Sequence, residues 1–410
     1  MIVWQNEGKK YASSSLTLMN LNSGEQMKIE AGSGNYIMPL GFMGEDVIYG
    51  VARQSDVILD DTGTMIFPMF QVRIQDENGK VLALEGDNLI DHGPYSEFGD
   101  LLTMRLSQFV GAGVDIPNIR NRSITVCTNH AYGAAFRGYG APQSFMGGDI
   151  AMDVMAEKMG IDPFEFRAMN CYKESAESTT PTGCKPDVYC LEDLFNLARP
   201  YYHKNKEYAE KLNAEQGENG KYKFGAGVSL GVYGCGLDGV DSSEAWAELN
   251  PDHTVTIYDS WEDHGQGADI GTLTHAHETL RQAGFTPEEI KLVMNDTGLT
   301  PNSGPAGGSR SNVMTGNAVR VACEMLINAM RKADGTFRTY EEMVEEKLPL
   351  KYQGKWVATA CTDCDMETAQ GNPFSVYMYC INLPIVRVEM ATGKVKVVKF
   401  TMVSDFGTII

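Results

Sequence analysis

The sequence predicts an α+β protein: a β-rich amino-terminal segment followed by a mixed α/β region in two parts. Three observations carry this. Residues 1–87 hold short alternating or β-branched runs separated by turn signals. From about residue 88 the texture changes, with apolar residues at helical spacing set among strand-like runs. A polar stretch, HKNKEYAEKLNAEQGENGK, then divides this second region. The expected parts are residues 1–75, 80–220 and 224–410. At 410 residues, 43% hydrophobic and 21% charged, the chain is long enough for two or three buried cores.

The amino-terminal runs SLTLMNL, QMKIEA, DVIYGVA, FQVRIQ and KVLALEG read as strands, broken by LNSGE, DDTG and DENGK. Asn78-Gly79 in the last of these marks a hairpin. The texture resembles blades of a β-propeller, although two blades at most would fit and no repeat signature is present. An extended β-rich region with no site of its own is the plainer reading. Next, SFMGGDIAMDVMAEKMGI (144–161) carries helical spacing, and Asp162-Pro163 opens a second helix, PFEFRAMNCY. LEDLFNLARPYY (191–202) gives a third, ended near Pro200. The polar stretch after it reads as the tail of a surface helix plus a loop. GAGVSLGVYG, EAWAELN and TVTIYD are strand-like; a helix follows from about Ala268, and a glycine-rich loop and helix occupy 303–330. FSVYMYCINL, IVRVEM and KVKVVKFTMV close the chain as paired strands. The last run stops at SDFGTII in the manner of a cut.

Charge narrows the function classes. Thirty-four Lys and Arg against 54 Asp and Glu leave a net charge of -20. A nucleic-acid partner needs clustered cations, and an anionic membrane surface needs the same. Neither is expected, although backbone N–H groups can still bind an anion locally. The start, MIVWQNEGKK, has no signal-peptide pattern, and no apolar run reaches the length of a spanning helix. Nine cysteines, irregularly spaced, fit reduced thiols in a cytoplasmic protein. Cys361 and Cys364 form a CxxC with neither a second CxxC nor a nearby His, so two thiols in a buried turn are expected rather than a zinc site.

Three glycine loops carry the candidate chemistry. In FRGYGAPQ, Gly138 and Gly140 leave the backbone approachable, Arg137 offers a fork of donors for oxyanions, and Tyr139 offers a ring face and a hydroxyl. A purely structural strand-to-helix turn explains the same residues equally well. In WEDHGQGADIG, Gly265 and Gly267 bracket Gln266 just before a helix start, where N–H groups suit an anion. Gln266 can donate and accept at once. His264 has no second ligand at useful spacing, and the His275-x-His277 pair points to different helix faces, so metal ligation is not expected. The third loop, NSGPAGGSRSNVMTGNA, has the hydroxyls and glycines to cradle a phosphate. It is neither a P-loop nor a dinucleotide fingerprint. Three such loops suggest a large phosphorylated or pterin-like ligand.

DHGPYSEFGD (91–100), AFRGYGAPQ (135–143), DPFEFRAMN, WEDHGQGADIG and PNSGPAGGSRSNVMTGNA together resemble the large molybdenum-binding subunit of the xanthine oxidase family. The resemblance runs over residues 80–410 and is nearest to bacterial aldehyde oxidoreductases that use molybdopterin cytosine dinucleotide. It implies a mixed α/β molybdopterin-binding domain of two subdomains, truncated at its carboxyl end. Phe136, Arg137 and Gly138 would approach the metal centre and pterin, with Phe136 and Tyr139 walling the substrate pocket. His264, Gly265, Gln266, Gly267 and Ala268 would line the cofactor, as would Gly308, Ser309, Arg310 and Thr315. The protein would supply no direct metal ligand. The implied activity is hydroxylation of an aldehyde or N-heterocycle with water as oxygen source, a carboxylate as base, and electrons leaving through iron–sulfur clusters. The complete enzyme would be a homo-oligomer.

The chain also departs from that family. The Gly-Val-Gly-Glu context of the catalytic glutamate does not occur here, nor does the GGxFG loop expected before DHGPY. Iron–sulfur cysteine patterns are missing too, which assigns those clusters to a missing segment or a partner subunit. Residues 1–75 do not match, and a seam at about 70–85 suggests a chimera or truncated frame. The competing expectation is therefore a non-catalytic product that keeps part of the cofactor-binding fold.

Overall fold

The computed structural model describes residues 2–6, 12–19, 21, 24, 26–43, 46–59, 65–66, 71–75, 80–95, 99–134, 136–175, 178–217, 220–237 and 239–407. Two compact units are present. The first comprises Met1–Pro181, Val188–Val232 and Tyr379–Ser404; the second comprises Thr182–Asp187, Tyr233–Met378 and Asp405–Ile410. These units cut across the chain-order parts 1–75, 80–220 and 224–410, because late strands return to the first unit.

In the first unit, β1 (Ile2–Gln5), β2 (Ser15–Met19) and β3 (Gln26–Glu30) form an antiparallel sheet. β4 (Asn35–Met43) and β5 (Asp46–Arg53) form a second, the short β6 (Ile58–Leu59) and β7 (Met65–Ile66) pair with each other, and β8 (Gln71–Gln75) joins β5. Leu16, Leu18, Ile37, Tyr49 and Val51 make the core beneath these strands. Among the described residues these sheets have three, three and two strands, and none is a four-stranded propeller blade. Asn78 and Gly79, the expected hairpin, lie outside the described residues.

β9 (Ala83–Asp91), α1 (Gly99–Gln108) and β10 (Asn118–Val126) form a parallel crossover. The seam between helix and strands is polar: Asn121 donates to Ser107 at 2.8 Å and Ser107 to Ser123 at 2.8 Å. α2 (Ala141–Met159) starts three residues before the run 144–161 because Pro142 suits a first helical turn, and Gly160, at φ 66°, ends it. α3 (Pro163–Met169) is capped by Asp162, which accepts from the Phe164 N–H at 2.9 Å. Arg167, fully buried, ties α3 to α2 through Asp149 at 3.0 Å and Asp153 at 2.7 Å.

α4 (Leu191–Gln216) does not stop at Pro200; it runs 26 residues through it. Leu191, Leu194, Phe195, Ala198, Tyr202, Asn205 and Ala209 bury one continuous face, and that packing outweighs the single ladder bond Pro200 cannot make. The surface-helix tail expected beyond it is thus part of α4. β11 (Tyr222–Ala226) and β12 (Ser229–Cys235) share a sheet with two late strands.

The second unit is built on β13 (Ser242–Leu249) and β14 (Val255–Asp259), followed by α5 (Ala268–Leu280), β15 (Ile290–Met294), α6 (Arg310–Met330), α7 (Tyr340–Glu345) and β16 (Lys351–Val357). The sheet order is β15-β14-β13-β16, with β14 and β15 parallel and α5 crossing between them. Ala245, Ala247, Val255 and Ile257 of the sheet pack with Ala276, Leu280, Val319, Ala322 and Leu326 of the helices. The expected strand pair FSVYMYCINL and IVRVEM is one strand, β17 (Val376–Glu389). Pro384 does not divide it, because it stands where pairing with β11 ends, at Ala226–Ile385. β18 (Val395–Asp405) pairs with β17. Among the described residues no helix is long and apolar enough to cross a membrane.

Candidate functional site

In the first unit, the turn ahead of α2 holds three successive residues in the left-handed region: Gly138 at φ 94°, Tyr139 at 45° and Gly140 at 87°. Side chains resist this conformation. A Cβ on Gly140 would meet the Leu102 carbonyl at 2.8 Å, and one on Gly138 would meet Pro142 at 2.6 Å. What comes close to this backbone is helix α1 on one side and the turn's own proline on the other. The structural explanation of the two glycines is therefore sufficient for them. It does not extend to Phe136, which is 83% exposed, or to the exposed Arg137. Tyr139 is half-buried, with its N–H donating to the Phe136 carbonyl at 2.8 Å.

The DHGPY segment of the same unit is a self-tied knot. Asp91 accepts from the Gly93 N–H at 3.0 Å, from the Thr128 hydroxyl at 2.6 Å and from His130. These donors bring its carboxyl down to about 2. His92 is buried, with Nδ1 2.9 Å from the Tyr95 carbonyl. Thr128 and His130 were not singled out in the sequence; no pattern links them to Asp91, whose pairing depends on the β9–β10 register.

The second unit brings the other two loops together. Both leave the carboxyl ends of the parallel strands β14 and β15, the usual position for a ligand in an open α/β sheet. Serines stitch them. The Ser260 N–H donates to the Ser303 hydroxyl at 2.9 Å, the Ser303 N–H donates to the Ser260 hydroxyl at 2.9 Å, and Ser243 donates to the Ser303 carbonyl at 3.0 Å. Asp259 ends β14 fully buried, accepting from the Trp261 N–H at 2.9 Å and the Thr272 hydroxyl at 2.8 Å. Burial pushes its carboxyl up to about 6.

Within the first of these loops the expected N–H groups are already engaged. Asp263 accepts from Gly265 at 2.5 Å, Gly267 at 3.4 Å and Ala268 at 3.1 Å. These bonds hold its carboxyl below the ordinary range. Gln266 folds back as well: its amide donates to the Glu262 carbonyl at 2.7 Å and accepts from the His264 N–H. Asp263, Gln266 and the flanking His264 are exposed, and among the described residues no atom beyond the chain neighbours lies within 4 Å of where a Cβ would stand on Gly265 or Gly267.

The second loop divides its expected residues. Gly308 and Ser309 are both left-handed, at φ 55° and 57°, with Gly308 pressed so close to Gly236 that its carbonyl accepts from the Gly236 N–H at 2.9 Å. Ser309 is exposed. Arg310 and Thr315 are not: both are fully buried. The Arg310 guanidinium grips Asp241 and donates to the carbonyls of Ser303 at 2.8 Å, Pro305 at 3.0 Å and Ser242 at 2.7 Å. Its donors therefore hold the loop's shape. Thr315 faces Ser243 at 3.0 Å. By contrast, the opening turn of α6 is uncapped by any side chain and has no acidic residue. Ser311, 4% exposed, has a buried hydroxyl with no hydrogen-bond partner among the described residues.

His275 packs where Gly316 lacks a side chain and lies 3.2 Å from Asn312. Cys361 and Cys364 are buried thiols outside any disulfide. Among the described residues no group of three or more His, Cys, Asp or Glu is placed to hold a metal ion.

Sequence profiles described as molybdopterin cofactor-binding domains match residues 44–171 and 197–410. The first match begins inside the segment 1–75 that the sequence resemblance left out. The chain is 51% identical over 333 residues to the aldehyde oxidoreductase of Megalodesulfovibrio gigas, covering 81% of this chain and 36% of that protein. It is 24% identical over 352 residues to the xanthine dehydrogenase/oxidase of Gallus gallus, covering 81% of this chain and 24% of that one. Among solved structures, the aldehyde oxidoreductase from Desulfovibrio desulfuricans superposes with a TM-score of 0.77 at 49% identity, covering 95% of this chain and 40% of that chain. Quinoline 2-oxidoreductase from Pseudomonas putida shares the fold at a TM-score of 0.64 and 18% identity, covering 83% of this chain and 47% of that one. The chain thus spans less than half the length of these relatives.

Proposed function

We propose that this chain, which belongs to the xanthine oxidase/aldehyde oxidoreductase family of molybdopterin-binding proteins, is the cofactor-binding part of a hydroxylase that oxidises aldehydes to carboxylic acids with water as oxygen source. The observation that carries the reading is 51% identity to an aldehyde oxidoreductase over 333 residues, together with two serine-stitched loops at the carboxyl ends of β14 and β15. We assign the cofactor as the cytosine dinucleotide form of molybdopterin. Iron–sulfur centres, on a further segment or a partner subunit, and a homo-oligomeric complete enzyme are part of the same proposal. So is a carboxylate base, for which no Gly-Val-Gly-Glu segment occurs in residues 1–410.

The residues present fit such a group. The uncapped start of α6 leaves N–H groups without an intrahelical acceptor, and the orphaned Ser311 hydroxyl lies in the same turn. Neutral donors of this kind suit a phosphate oxygen. Gly308 and Ser309 would carry that contact, with Arg310 and Thr315 acting through the loop they brace. His264, Gly265, Gln266, Gly267 and Ala268 would offer the second loop, through its outward face. In the other unit, Phe136, Arg137 and Gly138 would add contacts, with Phe136 and Tyr139 as pocket wall. The bound cofactor would supply the two-electron redox chemistry; these residues bind and orient it and exclude water.

The test is composition. The purified chain, loaded with cofactor, is analysed for molybdenum, oxidised pterin and CMP released by mild acid. All three at one per chain is the expected result, and a folded chain that retains none of them overturns the reading.

A further inference from the structure

The N–H fan at the start of α5 is filled by the chain itself. Backbone amides of Gly265, Gly267 and Ala268 converge on the two oxygens of Asp263, at 2.5, 3.4 and 3.1 Å. An external anion would have to displace a carboxylate already seated there. The loop also has little side-chain packing to hold it: positions 265 and 267 are glycines at φ 91° and 85°, and among the described residues nothing beyond the chain neighbours lies within 4 Å of where a Cβ would stand on either. Gln266 takes its pose from within the loop, through the Glu262 carbonyl and the His264 N–H. Its orientation is set by the same turn that Asp263 closes.

We propose that Asp263 is the positioning residue of the 262–268 loop, its carboxylate standing where a ligand anion was expected and thereby fixing Gln266. The proposal rests on the reading above only in holding that this loop meets the cofactor. The loop offers the cofactor the Gln266 side and not an anion hole, and the phosphate-bearing end is left to α6. Asp263 acts through backbone and through Gln266, touching no ligand itself. A preformed turn of this kind lowers the ordering cost that two glycines would otherwise impose on binding. The bonds that seat the carboxylate also keep it ionised, so the fan stays closed across the neutral range.

Amide hydrogen exchange on the whole 410-residue chain without cofactor tests this, in the natural sequence, in D263A and in D263N. D263A is expected to lose roughly tenfold or more of the protection at Gly265, Gln266, Gly267 and Ala268, with the amides of α6 and β13 unmoved. D263N is expected to fall between, because Asn keeps one acceptor oxygen and turns an amide toward the Ala268 N–H. Unchanged exchange in D263A overturns the proposal. So does a loss spread evenly over α5, α6 and β13, which would mark general destabilisation. If exchange behaves as expected but the natural chain retains no pterin, the positioning role stands and the cofactor reading falls.

Discussion

Arg310 shows how a buried fork of donors can shape a loop from within. The planar guanidinium suits a carboxylate and several carbonyls at once. The partner is Asp241, 69 residues earlier, joined by three backbone carbonyls. Replacing Arg310 by Ala leaves that carboxylate and those carbonyls unpaired, so the unfolding free energy is expected to fall by about 3–5 kcal/mol. R310K should recover little of it, since an ammonium cannot reproduce the fork; denaturant unfolding measures both. Asp259 offers a second test. Its carboxyl rises from an ordinary 3.8 to about 6 in the folded chain, first through burial and with no cation beside it. The folded state therefore binds the proton more tightly, and stability is expected to fall as pH rises from about 4 through 6. The cost above pH 6 is on the order of 3 kcal/mol. D259N, which keeps the Trp261 and Thr272 contacts in reach, should flatten stability over that window. An unaltered slope in D259N would assign the titration to another group. Gly138 and Gly140 were legible from composition because left-handed turns select glycine. Asp263, Asp241 and Ser311 were not, since a carboxylate or hydroxyl declares its role only through what the fold places against it.

At the level of elements, periodicity served well where a helix buries one face. α5 begins at Ala268 as expected, and α6 fills the end of its predicted stretch. It failed where a breaker residue was given more weight than the packing around it. Pro200 lies inside α4, whose buried stripe continues to Ala209, and Pro384 lies inside β17. A proline costs a helix interior about 3 kcal/mol against alanine when nothing else changes. P200A is expected to recover roughly 1–3 kcal/mol, read as a higher unfolding midpoint with unchanged helicity. No gain would show that a bend at Pro200 is required by the packing of α4. β18 carries the opposite risk. Val395 and Val397 on one face and Val398, Phe400 and Met402 on the other are exposed by 42–64%, alongside Lys394, Lys396 and Lys399. A strand of this character invites pairing with other chains. The purified chain is expected to self-associate, and V397K combined with F400K to raise its monomer fraction in sedimentation; a natural chain that is already monomeric at high concentration would refute this.

The whole molecule was the least legible scale, because a chain-order division cannot see strands that return. β17 and β18 follow β11 by more than 150 residues yet complete its sheet, so the first unit contains the beginning, part of the middle and nearly the end of the chain. The profile match from residue 44 likewise reaches past the point where motif resemblance gave out, since alternating strands carry fold without carrying motifs. The candidate contacts fall in both units, Phe136–Gly138 in one and the two serine-stitched loops in the other, so binding needs a readout for each. A ligand that binds only the folded state stabilises it by about 2.7 kcal/mol at a hundredfold excess over its dissociation constant. The cofactor is expected to raise the unfolding transition of the unit carrying α5 and α6 by an amount of that order. S311A should weaken this rise without lowering the transition of the unliganded chain, because the Ser311 hydroxyl has no hydrogen-bond partner to lose among the described residues. R137A tests the first unit in the same way: its transition should respond to cofactor in the natural chain and lose that response in the variant. If cofactor moves neither transition, the loops are a retained scaffold and bind nothing of this class.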